Sequence, residues 1–190
     1  DEACCLTIQQ GCLLSRSTVN VFRHGDMAHL EQLMAESQRR GAKRKTLPRR
    51  FIITEGIFRN TGEIAKLQEI CRLKEKYKFR IILDDCFGFG VLGATGRGTP
   101  EHCGVPMDKI EIYVGCMSGA LGAVGGFCAG SYVVVDHQRL AATGYVFSAS
   151  LPPYCSAAAS SAIQMITKDA ALVQQLQRNG KAFRLSVASQ

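Results

Sequence analysis

Asp84 and Asp85 close the apolar run Arg80-Ile-Ile-Leu83, and the glycine-rich stretch Gly88-Phe-Gly90-Val-Leu-Gly93 follows almost at once. An acid at the C-terminal end of a strand in an open α/β sheet lies where ligands bind. There a carboxylate can pair with a cationic ring nitrogen, coordinate a metal, or cap a turn. The glycines match the dinucleotide fingerprint in letter. That motif works only when a helix opens at the glycines and aims its N-terminus at a pyrophosphate. Here they run into Gly96-Arg-Gly98-Thr-Pro100, which cannot be an uninterrupted helix, and two acids stand where phosphate would sit. Dinucleotide binding is set aside. The other reactive groups are nine cysteines (Cys4, Cys5, Cys12, Cys71, Cys86, Cys103, Cys116, Cys128 and Cys155) and four histidines. The cysteine count is odd and no C-x-x-C occurs, so neither a disulfide scaffold nor a zinc ribbon fits, and the histidines show no metal spacing. Thiols among apolar neighbours in a reducing compartment are the expectation.

The elements that must position Asp84 follow from periodicity. Asp26, then Met27, Leu30, Leu33 and Met34, reads as an N-capped amphipathic helix running to about Arg40. Phe51 to Thr54 and Arg80 to Leu83 are short, β-branched, buried strands, and Ile110 to Val114 is a third. Between the first two, Ile64, Leu67, Ile70, Cys71 and Tyr77 carry a helical period to about Lys78. Tyr132 to Val135 is apolar but of either type. Pro152 to Ile166 is an Ala-rich helix with Ser150 as its candidate cap, and Leu172, Leu176 and Phe183 mark a last helix. Strands alternating with helices predict a parallel, doubly wound α/β layer.

Charge narrows the function classes. The 190 residues carry 23 Lys and Arg against 16 Asp and Glu, a formal charge of +7. Seven of those bases (Arg39, Arg40, Lys43, Arg44, Lys45, Arg49 and Arg50) fall in one loop, 39–50, that holds no acid. The rest of the chain is neutral, which argues against a nucleic-acid-binding face. The loop reads as a solvated insertion or as a contact for anionic lipid headgroups. Ile112 to Val135 and Ala141 to Thr167 lack charge and are long enough to span a bilayer. But the first holds six glycines and the second is broken by Pro152-Pro153, so strands and turns are favoured over a spanning helix.

Several stretches, in this order and spacing, carry a family resemblance. They are Phe22-Arg-His-Gly-Asp-Met27, Thr54-Glu-Gly-Ile-Phe58, Leu83-Asp-Asp-Cys-Phe-Gly-Phe-Gly-Val-Leu-Gly93 with Gly96-Arg-Gly98, Gly115-Cys-Met-Ser-Gly-Ala-Leu-Gly122, Gly125-Gly-Phe127 and Phe147-Ser-Ala-Ser-Leu-Pro-Pro153. Together they resemble the α-oxoamine synthases, pyridoxal-phosphate enzymes that condense an amino acid with an acyl-CoA and release carbon dioxide. The resemblance implies part of an aspartate-aminotransferase-like large domain, a mainly parallel sheet flanked by helices. Residues 1–190 would be its central part, without the membrane helix and Gly-rich loop that precede it or the small domain that follows.

Departures from the family pattern shape the implied function. The position matching the cofactor lysine is Gly119, and no lysine lies between Lys109 and Lys168. Glycine cannot form an imine. Phe87 stands where the family usually stacks a histidine over the cofactor ring, and Cys4-Cys5 where an Asn-His pair is expected. Only Asp84, the partner of the pyridine nitrogen, survives. The resemblance is thus to a non-catalytic subunit whose catalytic partner supplies the lysine and holds pyridoxal phosphate. The pair would condense L-serine with palmitoyl-CoA to 3-ketodihydrosphingosine, the entry to sphingolipids, at the cytosolic face of the endoplasmic reticulum membrane. Small regulatory membrane subunits are further partners it suggests. Ser148 and Ser150 would donate hydroxyls in trans to the partner's cofactor phosphate, or else cap the helix before Pro152. A lysine placed at Gly119 is expected to be crowded and desolvated. Two alternatives stay open: an active α-oxoamine synthase of another specificity, and a membrane scaffold for regulators.

Overall fold

The computed structural model describes residues 1–41 and 48–189. Four strands form one sheet in the order β1-β2-β3-β4: β1 (Phe51–Glu55), β2 (Arg80–Asp84), β3 (Ile112–Cys116) and β4 (Gly126–Gly130). The first three are parallel, in the register Ile52↔Ile81 and Asp84↔Val114, and β4 turns back antiparallel to β3. The expected mainly parallel layer is present. Its order runs straight across, however, without the reversal of a doubly wound sheet, because alternation of element types does not encode strand order.

Helix α1 (Leu6–Leu14) precedes α2 (Met27–Gly41), and α3 (Leu67–Tyr77) makes the crossover from β1 to β2. The Asp26 carboxylate accepts the His29 amide at 2.8 Å and so caps α2, whose Leu30 and Met34 are buried. On α3 the buried residues Leu67, Ile70 and Leu73 repeat at helical spacing and meet Ile52, Ile81 and Leu83 in the main core. Each such burial contributes about 1.5–3 kcal/mol. The helix starts three residues later than its period suggests, because Ile64 is taken by a bridge to Ile57. It ends at Lys78, left-handed at φ 58°, whose amide bonds the Lys74 carbonyl. Lys74 is buried too: its ammonium pairs with Glu111 at 2.6 Å, and the other Glu111 oxygen accepts the Ile81 amide at 2.7 Å.

Beyond β2 lie the short α4 (Thr99–His102), a 3-10 turn at Met107–Lys109, and β3. Because Ile110 closes that turn, β3 begins at Ile112 rather than at Ile110. Four helices follow β4: α5 (Tyr132–Ala141), α6 (Thr143–Val146), α7 (Pro153–Lys168) and α8 (Ala171–Ala188). Tyr132 to Val135 is therefore helical, and the neighbouring strand is β4, whose glycine-bounded sequence carries no alternation to announce it. Proline opens α7 as expected, but Ser150 does not cap it; the N-cap is Pro152, without a side-chain hydrogen bond.

Among the described residues no helix is long and apolar enough to cross a membrane, and the uncharged runs are divided among strands, turns and helices. The basic segment is divided as well. Arg39 and Arg40 sit in the last turn of α2, while Lys43, Arg44 and Lys45 lie outside the described residues. Arg50 lies across the Phe79 ring, 4.6 Å from its centroid, and donates to the Tyr77 carbonyl at 2.8 Å.

Candidate functional site

Three parallel strands put Glu55, Asp84 and Cys116 at one edge of the sheet, and the register Glu55↔Asp84 makes the two acids neighbours. Asp84 is half-buried and its Oδ1 accepts the Cys86 amide at 3.0 Å, so it does cap the turn leaving β2. Glu55 is buried and accepts the Cys5 amide at 3.0 Å. Cys4 and Cys5 are accordingly core residues: Cys5 closes the β1 end through its backbone, and Cys4 packs in the main cluster.

The second acid does something sequence reasoning missed. Asp85 is fully buried and accepts three hydrogen bonds: from the Thr99 amide at 2.8 Å, the Thr99 hydroxyl at 2.5 Å and the Tyr113 hydroxyl at 2.8 Å. Burial pushes its carboxyl above the ordinary aspartate value, against the pull of those donors. Burial, then the adjacent Asp85, pushes the Tyr113 phenol up. A Cβ added at Gly56, Gly88 or Gly98 would overlap the Asp85 carboxylate. Gly88 of the dinucleotide-like stretch, and Gly98 just beyond it, are thus glycines because backbone must press against a buried acid. Gly98, at φ 88°, brings the chain back to Thr99, where the short α4 begins. No helix opens at Gly88 to Gly93, so the pyrophosphate geometry is absent. The readable signal was the doubled acid itself, one residue facing each way off the strand end.

Phe87 sits on this loop, 44% exposed, with the Arg59 guanidinium 5.8 Å from its ring centroid. Gly119 lies at the same edge, in the turn from β3 to β4; it is exposed, and a Cβ there would meet nothing within 4 Å. The expectation that a lysine at 119 would be crowded is overturned, since the turn projects its backbone outward. Gly125 packs against Leu151, which brings the 148–151 segment beside that turn. Ser148 and Ser150 are exposed and make no hydrogen bond to the strand-end residues.

Two thiols complete the edge. All nine cysteines are unpaired. Cys116 lies 2.8 Å from the Ser118 hydroxyl and accepts the Ser118 amide at 3.4 Å. Those contacts, hydroxyl first, draw its thiol below the ordinary cysteine value. Burial, then the Asp84 carboxylate, pushes the Cys86 thiol up.

A mainly parallel sheet with an acid at a strand end, a glycine-rich return loop and helices packed on the sheet define a class. The chain belongs to the class I and II aminotransferases, whose family model matches residues 7–189. Within that family it is similar to long chain base biosynthesis protein 1b of Oryza sativa subsp. japonica, at 51% identity over 94% of this chain and 37% of the relative. It is also similar to serine palmitoyltransferase 1 of Saccharomyces cerevisiae, at 45% identity over 100% of this chain and 34% of the relative. A solved variant of the S. paucimobilis serine palmitoyltransferase with a bound PLP–myriocin aldimine superposes with a TM-score of 0.81 at 27% identity, covering 93% of this chain and 42% of that one. The chain thus spans little more than a third of the length of those curated relatives.

Proposed function

We propose that this chain is the central part of the non-catalytic subunit of a heteromeric serine palmitoyltransferase. The complex would condense L-serine with palmitoyl-CoA to 3-ketodihydrosphingosine at the endoplasmic reticulum membrane. The observation that carries the reading is Gly119: the turn beside Asp84 offers open space and no amine. The residues present therefore do not fit covalent attachment of pyridoxal phosphate, although Asp84 retains a carboxylate suited to a protonated ring nitrogen. The cofactor, with its electron-sink chemistry, belongs on this reading to the partner's lysine. This chain's part is to complete and stabilise the partner's pocket. Ser148 and Ser150, exposed and free of capping duty, are the candidates to donate hydroxyls to the partner's cofactor phosphate.

The test is co-expression of the full-length chain with a lysine-bearing homologue, followed by purification and assay for the ketone. Product from the pair, and from neither subunit alone, supports the reading. A visible-range cofactor absorbance in the isolated full-length chain would instead mark it as an active synthase. Unchanged turnover by the partner alone would mark it as a scaffold.

A further inference from the structure

Cys86 and Cys116 take no part in the proposed function, yet they lie at the C-terminal ends of the neighbouring strands β2 and β3, Cys86 in the turn just beyond β2 and Cys116 closing β3. The β2–β3 ladder pairs Asp84 with Val114, and the Asp85 amide extends it to the Val114 carbonyl at 2.8 Å. Each cysteine lies two residues beyond that pair, Cys116 as the last residue of β3 and Cys86 in the turn that follows β2. Where that ladder ends, parallel strands run about 4.8 Å apart, the scale of the roughly 4.4–6.8 Å between Cα atoms that a disulfide spans. Because Cys86 sits in a turn, closing a bond to Cys116 requires that turn to move and leaves the β2–β3 ladder intact. Asp84 lies close enough to act electrostatically on both thiols.

We infer that Cys86 and Cys116 form a peroxide-sensitive dithiol that closes to a disulfide across the C-terminal ends of β2 and β3. The Cys116 thiolate, held by Ser118, attacks one oxygen of hydrogen peroxide; the O–O bond breaks and hydroxide leaves. Sulfur is oxidised by two electrons to a sulfenic acid while the peroxide is reduced. Cys86 enters as the thiol and gives up its proton only as it attacks. The Cys86 sulfur then attacks the Cys116 sulfur, the S–O bond breaks, and the departing hydroxide collects the proton as water. Two thiols and one peroxide become one disulfide and two waters. The bond would tie the loop that carries Phe87 to the turn that carries Gly119. This inference is independent of the serine palmitoyltransferase reading, because it concerns only this chain's thiols.

The experiment exposes the full-length chain to a few equivalents of hydrogen peroxide, then caps free thiols with N-ethylmaleimide. Trypsin cuts after Arg80, Arg97, Lys109 and Arg139, which leaves Cys86 and Cys116 in separate peptides, the second shared with Cys128. Fragmentation mass spectrometry assigns the sulfur. The expected result is a dithiothreitol-reversible Cys86–Cys116 link. Cys86→Ser should abolish it and leave a dimedone-reactive Cys116, and Ser118→Ala should slow its formation roughly three- to tenfold. Unlinked peptides, or a link that uses Cys5 or Cys128 instead, would overturn the inference.

Discussion

Helix α3, before β3, and the helices after β4 obey different rules, while α1 at the start of the chain buries no residue of its own. Helix α3 buries Leu67, Ile70, Leu73 and Lys74, and its apolar face is spent on a closed core. After β4, α5 and α6 bury nothing, α7 buries only Cys155 and Ala159, and α8 only Val173. Tyr132, Tyr145, Phe147 and Phe183 stand in solvent there, Phe147 with 84% of its surface exposed. Monomeric surfaces seldom carry apolar groups in such number unless something covers them. The α3 region is held by its own packing, whereas the helices after β4 leave apolar surface uncovered. The strand-end acids belong to the first and the two candidate serines to the second, so a complete site on the proposed reading draws on both.

That contrast can be broken from either side. Leu73→Ala, in the closed region, should cost about 2–5 kcal/mol in urea denaturation, because a fully buried side chain leaves a cavity. A loss below 1 kcal/mol would mean that the core is loosely packed. Asp85→Asn should cost about 1–3 kcal/mol at acidic pH, since a buried network loses an acceptor. The Asp85 carboxyl titrates above the unfolded value, so its contribution is complete below the unfolded aspartate pKa and is lost as pH climbs through the raised folded one. The gap between wild type and variant should therefore narrow as pH rises; a gap that widens refutes the direction of the shift.

Smaller effects probe the open region. Phe183→Ser should leave stability within about 0.5 kcal/mol. On the proposed reading it weakens association with the lysine-bearing partner about tenfold in sedimentation or pull-down titration. A substantial drop in melting temperature would show that the helix face is already covered. Gly119→Lys should fold as wild type, because the turn has room for it. Without the partner it should still make no ketone, because open space does not aim an amine and a misplacement of about 1 Å costs on the order of a hundredfold in rate. Ketone above the wild-type blank would show that one residue alone disabled the site. Ser150→Ala, which removes no cap bond, should change stability least of all. Its expected effect is confined to the complex, as a fall of about two- to tenfold in affinity for pyridoxal phosphate.

Local chemistry made much of this molecule legible in advance. The β-branched runs at Ile52 and Ile81 specify strands, the Asp26 cap and the Leu30 period specify α2, and Pro153 opens α7, because each depends on a few neighbouring residues. Gly119 could also be read directly, since no fold can give glycine an amine. Other features were decided only in three dimensions. β4 is a strand because β3 offers it an edge, not because Gly126-Phe-Cys-Ala-Gly130 prefers one. Asp84 and Asp85 are identical in type and adjacent in sequence, yet one stays half-exposed at the ligand edge. The other is buried under Thr99 and Tyr113, 14 and 28 residues away, with glycines closing round it. Alternation along a strand sends neighbouring side chains to opposite faces, but which face is buried depends on what packs there, and that is a property of the assembled fold.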